Sequence, residues 1–250
     1  MKLVLLTAIG VGMATVFGSV IGFLFRKLSH TFSDIILSFA AGIMLAAAVI
    51  GLVLPSLDYG GKYGIIITVL GIFCGAVSLN FFDKFVPHLH RLVGVEDENH
   101  DNSNLSKVLL FVFAIGIHNL PEGIAAGVGF GSGDTSQALI IAGGIALQNI
   151  PEGMVIIAPM LAAGVSPRKT FICAMFTGLV EVVGTLVGYF AVSVSTAILP
   201  FALAFAGGTM LYVISDEMIP ETHAHGHQRG ATYALLLGFC VMLISDVFLG

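Results

Sequence analysis

Two stretches of one pattern decide the fold: His118-Asn119-Leu120-Pro121-Glu122-Gly123 and, thirty residues on, Gln148-Asn149-Ile150-Pro151-Glu152-Gly153. Each lies near the middle of an apolar run long enough to cross a bilayer. Each places a carboxylate and a carboxamide at a depth where a charge costs at least ~2.5 kcal/mol. Each also contains a proline that offers no backbone donor and clashes with the carbonyl four residues back, which for Pro121 is that of Ile117. In the first copy His118 and Glu122, four apart, share a helix face, and Asn119 and Glu122, three apart, share an adjoining one. The second copy repeats this with Gln148, Asn149 and Glu152. Consecutive spans run antiparallel, so the two polar faces can meet at one depth. A buried pair of this kind is tolerable when a cation is bound between its members.

The rest of the chain agrees. Of 250 residues, 57% are hydrophobic and 10% charged, with a mean hydropathy of +1.01. A soluble domain carries about 25% charged residues, so the expectation is an all-α integral membrane protein. Polar breaks leave eight apolar segments, at about 3–25, 33–55, 63–86, 107–129, 137–160, 170–191, 197–215 and 231–249. Each meets the ~20-residue length of a membrane helix, and together they form one transmembrane domain over 1–250. The first run is too long for a signal-peptide core and lacks a small-x-small cleavage site, so it is read as a retained helix. Glycine, at 31 residues, is nearly double its usual ~7% share, which suits closely packed membrane helices. Cys74, Cys173 and Cys240 lie in apolar segments with no CxxC spacing and are read as packing residues. The net charge of −5 gives no footing for a nucleic-acid partner.

Charge sets the expected orientation. Arg26, Lys27, Lys84, Arg91, Lys107, Arg168, Lys169 and Arg229 fall in or beside the odd-numbered connections, against Lys2 and Lys62 on the other side. This bias places the odd connections in the cytoplasm and both termini outside, and the expected location is the plasma (inner) membrane. The longest connection, 87–106, is acidic and carries His88, His90 and His100.

Two further side chains complete the intramembrane set. Glu181, near the centre of the sixth segment, gives a third carboxylate, and Met44, near the centre of the second, a thioether. Imidazole with carboxylate suits zinc and its first-row neighbours, whereas carboxylates and amides alone suit calcium, magnesium or manganese. Asp58 and Asp246 fall toward the outer side and are read as an entrance that concentrates cations. Asp216, Glu217, Glu221 and His223 are read as an exit, and His223 opens a His-x-His-x-His run at 223–227.

With HNLPEG followed by QNIPEG at this spacing, the chain resembles the ZIP (Zrt/Irt-like) metal transporters, and its QN form resembles the GufA-type branch. The resemblance covers essentially the whole chain. It implies metal ligands at His118, Asn119, Glu122, Gln148, Asn149, Glu152 and Glu181, with Met44 in the matching place of the second helix. It also implies spans 1–3 related to 6–8 by inverted repeat around the 4–5 pair, a metal site between helices 2, 4, 5 and 6, and a homodimer. The implied activity is movement of zinc, and of iron, manganese or cadmium, into the cytoplasm, with the metal as substrate and no catalytic cofactor. Some relatives have aspartate at the place of Asn149 and histidine at that of Gln148. Three carboxylates against one divalent ion leave −1 and against two leave +1, so one strong site with a weaker second is expected. A metal-selective channel is the alternative, and export is the reverse direction. An intramembrane zinc hydrolase would need a motif such as HExxH, which the His-Asn-Leu-Pro-Glu order lacks.

Overall fold

In hydrocarbon a backbone must satisfy its own polar groups, so apolar runs of this length become helices. The computed structural model describes residues 1–25, 29–92, 116, 119–131, 133–162 and 164–249. The helices are α1 (Lys2–Leu24), α2 (His30–Ala46), α3 (Leu54–Tyr59), α4 (Gly64–Leu92), α5 (119–131), α6 (Thr135–Ala162), α7 (Pro167–Val194), α8 (Leu199–Val213), α9 (Ile219–His223) and α10 (Gln228–Leu249). No strand occurs among the described residues. Seven of the described helical stretches are long and apolar enough to cross a membrane. The helical residues 119–131 belong to the remaining expected span, most of whose earlier part lies outside the described residues.

The second and seventh spans are longer than the apolar runs suggest: His30–Tyr59 and Leu199–His223. Each is one helix with a widened π-helical insert, Ala47–Val53 before α3 and Ile214–Met218 before α9. Pro55 and Pro220 stand just beyond these inserts. A proline in a helix cannot donate, and shifting the preceding turns to i→i+5 bonding lets the chain continue without the clash at i−4. Ser29 caps α2 by accepting a bond from the Phe32 N–H at 3.2 Å.

Close approaches of backbone at glycines reveal the architecture. Gly12 of α1 and Gly178 of α7 each lie against the other's carbonyl. Gly18 meets Ile150 of α6 and Gly22 meets Met154, while Gly184 meets Leu120 of α5 and Gly188 meets Ile124. Positions 12, 18 and 22 correspond to 178, 184 and 188 at one constant spacing, that separating Thr15 from Glu181. The same correspondence links α2 to α8: Gly42 abuts Leu235 of α10 and Gly208 abuts Ile72 of α4, while Gly238 abuts Phe39 and Gly75 abuts Phe205. These matched contacts are the inverted repeat, with spans 1–3 related to 6–8 and α5 to α6.

The contacts also divide the bundle into two bodies. Backbone-level approaches join α1, α5, α6 and α7 to one another, and join α2, α4, α8 and α10 to one another. Across the boundary the glycines meet side chains instead, with Gly51 against Ile141 and Gly144 against Met242. A cavity of about 320 Å³ lies on this boundary between α6 and α10, where Gly143, Gly144, Met242, Ser136 and Ser245 line it. Gly208 packs on α4 inside one body, so among Gly143, Gly144, Gly207 and Gly208 it is Gly143 and Gly144 that face the boundary.

Candidate metal-transport site

The two NxPEG motifs meet through α7 and α1. Gly123 lets the Glu181 backbone carbonyl of α7 approach α5, and Gly153 lets the Thr15 carbonyl of α1 approach α6. A methyl group at either position would strike that backbone, so the final residue of the motif is glycine because only glycine admits the neighbouring helix. The preceding glutamate is thereby held beside α7 or α1. Pro151 lies within the continuous helix α6, and Pro121 within the helical residues 119–131.

Glu181 is fully buried at the centre. Its Oε1 accepts from Thr15 Oγ1 at 2.6 Å and from Asn119 Nδ2 at 2.6 Å, and its Oε2 accepts from Asn149 Nδ2 at 2.5 Å. The two asparagines use a second, weaker bond in the same symmetric way: Asn119 Nδ2 to the Thr177 carbonyl and Asn149 Nδ2 to the Val11 carbonyl, both at 3.3 Å. Val11 and Thr177 are again repeat-related positions. Donation of both amide groups to one carboxylate fixes the orientation of both side chains and turns their Oδ1 atoms away from it.

Those oxygens have no protein partner. Asn119 Oδ1, Asn149 Oδ1, Glu122 Oε2 and Gln148 Oε1 are all buried and outside any hydrogen bond. Glu122 is 1% exposed and Glu152 9%. Glu122 lies close enough to Glu152 and Glu181 for their charges to repel, and Gln148 lies beside it. No lysine or arginine occurs between Lys107 and Arg168. Buried oxygen acceptors in this number, interleaved with carboxylates, suit a cation, because an unpaired acceptor away from water is costly. The donors are mixed: among the described residues no three histidine, cysteine, aspartate or glutamate side chains form a tight metal cluster by themselves. His118, the imidazole of the expected set, lies outside the described residues, as do 93–106 of the histidine-bearing connection.

Asn119, Glu122, Gln148, Asn149, Glu152 and Glu181 all belong to the α1/α5/α6/α7 body. Met44 belongs to the other body, fully buried in a core shared with Ile141 and Ile145 of α6. Its repeat-related position is Met210, buried equally. Thr15, which donates to the Glu181 carboxylate, is the residue that sequence reading missed. Its signal was present, a hydroxyl in an apolar span at the repeat position of Glu181.

At one end of the bundle Asp58 is exposed, and Asp246 accepts a 3.1 Å bond from Gln137 Nε2. Ser136 and Ser245, the chain neighbours of Gln137 and Asp246, line the boundary cavity. At the other end Asp216 and Glu221 are exposed and Glu217 is half-buried. His223 has both ring nitrogens engaged, Nδ1 with the Ile219 carbonyl at 2.9 Å and Nε2 with Thr232 Oγ1 at 3.1 Å. These contacts tie its ring to α9 and to the start of α10.

Comparison with known proteins agrees with this geometry. The family model described as ZIP Zinc transporter matches residues 93–246. The chain is 40% identical over 205 residues to "Zinc transporter GufA" of Myxococcus xanthus, covering 80% of each chain. It is 36% identical over 249 residues to "Zinc transporter ZIPB" of Bordetella bronchiseptica, covering 95% of this chain and 78% of that one. It is 34% identical over 251 residues to "Zinc transporter ZupT" of Chlorobaculum parvum, covering 94% and 92%. Paired NxPEG motifs at matched depth, an inverted repeat around them and these relatives lead to one conclusion: the chain belongs to the ZIP zinc transporter family.

Proposed function

We propose that the chain carries divalent transition metal, zinc foremost, across a cell membrane into the cytoplasm by alternating access. The observation that carries this reading is the set of buried, unpartnered oxygens around Glu181: Asn119 Oδ1, Asn149 Oδ1, Glu122 Oε2 and Gln148 Oε1. His118, Glu152 and Met44 complete the ligand set, the first from its place in the motif. One ion balances most of the charge of three glutamates and takes the strong position; a second binds more weakly. The metal is the substrate, and no chemical step on it is required, so the protein is read as a carrier rather than an enzyme. It works as a homodimer with both termini outside, Asp58 and Asp246 drawing ions to the entrance and Asp216, Glu217, Glu221 and His223 receiving them at the exit.

The division into two bodies favours a carrier over a channel. The carboxylates and carboxamides ride together on α1, α5, α6 and α7, so the ion can travel with them past α2 and α10. Met44 stays behind, and its thioether is the contact that movement would exchange. Metal uptake into proteoliposomes across a panel of divalent ions is the test. Saturable uptake, with zinc competing against the others, is expected; uptake that rises linearly with concentration and ignores competitors would replace the carrier with a channel.

A further inference from the structure

A second group of imidazole and carboxylate side chains, not a closed metal cluster as it stands, lies away from the intramembrane site, on the face that bears the α9–α10 connection. Asp34, on the first turns of α2, is 4% exposed. Its Oδ1 lies 3.1 Å from Nδ1 of His225, in the α9–α10 connection. Its Oδ2 is buried without a partner, and so is Oγ of Ser38, one helical turn further along the same face. The ring of His30, at the start of α2, stacks on that of His225 with centroids 4.9 Å apart. Both imidazoles reach water, since His30 is exposed and the His225 side chain is 33% exposed.

The pseudo-symmetry of the fold shows that packing does not demand this group. The position related to Asp34 is Pro200, whose carbonyl accepts from Ser56 Oγ at 2.7 Å while Ser56 also bonds Thr68 at 2.7 Å. That end of the bundle closes with neutral, satisfied groups. The end with Asp34 closes with a carboxylate that has a lone pair to spare and two imidazoles.

We propose that Asp34, His225 and His30 form a second binding site for a divalent transition metal. The ion takes the place of the proton shared between His225 Nδ1 and Asp34, releasing that proton to water. Zinc–nitrogen and zinc–oxygen bonds of about 2.1 Å would span the 3.1 Å between those atoms at an angle of about 95°. Oδ2 of Asp34 adds oxygen to the same ion, His30 turns from its stacked position to give a second imidazole, and water fills the remainder. Imidazole with carboxylate selects zinc and its neighbours over calcium and magnesium. Asp34 on α2 and the connection to α10 belong to the same body, so this site stays in place whichever way the intramembrane carboxylates move. It goes beyond the transport reading and holds whether or not that reading does.

The test is metal stoichiometry of the purified full-length chain in detergent, by equilibrium dialysis against Co²⁺ or Zn²⁺ with elemental analysis. Asp34→Asn keeps the size of the side chain; His225→Ala and His30→Ala each remove one imidazole. Expected are one ion fewer per chain for His225→Ala at metal concentrations that saturate the wild type, and an affinity for that ion weakened about tenfold or more by Asp34→Asn and His30→Ala. Glu152→Ala should lose a different ion and keep this one. If all three variants retain the wild-type stoichiometry and affinity, the proposal is overturned. It is also overturned if the only loss is of every ion together in a chain that no longer elutes as a single folded species, with Asp34→Asn, still folded, binding as the wild type does. Normal uptake by Glu152→Ala would instead sink the intramembrane assignment and leave this site standing.

Discussion

Replacing Asn149 with aspartate tests the central arrangement directly. Asn149 Nδ2 now donates to Glu181 Oε2 at 2.5 Å and to the Val11 carbonyl at 3.3 Å. Asn149→Asp keeps the shape but turns a donor into an acceptor, setting carboxylate against carboxylate and against a carbonyl. Two unit charges at that separation repel by ~7 kcal/mol at an effective dielectric of about 20. That is comparable with the whole stability of a typical domain, so the metal-free variant must take up a proton, move the two side chains apart, or lose stability. A second divalent ion relieves the conflict, because four carboxylates then balance two ions. Three results are expected. The metal-free variant melts below the wild type, its melting temperature rises more on adding zinc, and elemental analysis finds more metal per chain under saturating conditions. Binding at a hundred times the dissociation constant alone adds ~2.7 kcal/mol per site, enough to read in a thermal melt. Transport changes as well, slowing if release from a more negative site becomes limiting. A variant with wild-type melting, wild-type zinc response and wild-type stoichiometry would refute the reasoning, since Asn149 could not then be donating to Glu181.

Other outcomes follow from the same geometry. His118→Ala and Glu152→Ala should each abolish most uptake in proteoliposomes, a loss well beyond the 10–100-fold typical of groups that only orient a ligand; near-normal uptake by either purified variant would contradict the ligand set. Gly153→Ala places a methyl against the Thr15 carbonyl, and overpacking of this kind costs about 1–3 kcal/mol, so the melting temperature and uptake should fall together, whereas Gly143→Ala, in the interior of α6 with open space around it, should keep or raise the melting temperature, alanine being the better helix former by up to about 1 kcal/mol. Metal and protons compete for the same ligand atoms, so binding should release protons and uptake should weaken as the loading side is acidified, which a pH-indicator dye in weakly buffered vesicles reads. Cysteines introduced beside Asp58 and beside Glu217 should change reagent accessibility in opposite directions when metal is added; accessibility of both together in every condition would remove the alternating cycle.

Much of this was legible in the sequence because membrane helices obey few rules. The length of an apolar run sets a span, and a carboxylate inside one stands out, so Glu122, Glu152 and Glu181 were visible as a group before any geometry. The ends of the second and seventh spans were not, because Pro55 and the polar residues Asp216 and Glu217 read as stops. A π-helical insert absorbs the first kind of interruption and carries the helix through the second, and no local pattern announces it. Thr15 and Asp34 were missed for another reason. Their meaning is relational: a hydroxyl and a carboxylate in otherwise apolar helices become informative only when the repeat partner, Glu181 or Pro200, is set beside them. The spacing of glycines holds that relation, but along a single chain it is indistinguishable from general close packing; only the crossing of the helices gives it meaning.

The inverted repeat bears on the energetics of the transport cycle. If the two halves were identical, the conformer open to one side and the conformer open to the other would be the same object turned over, with equal free energies and equal metal affinities. Such a protein would have no resting side. Whatever preference this chain has must therefore come from the positions where its halves differ, among them Glu181 opposite Thr15 and Gln148 opposite His118 in the site, and Asp34 opposite Pro200 outside it. Thr15→Glu combined with Glu181→Thr would exchange one such pair without altering composition or net charge, and would shift the balance between the two end states while leaving the architecture in place.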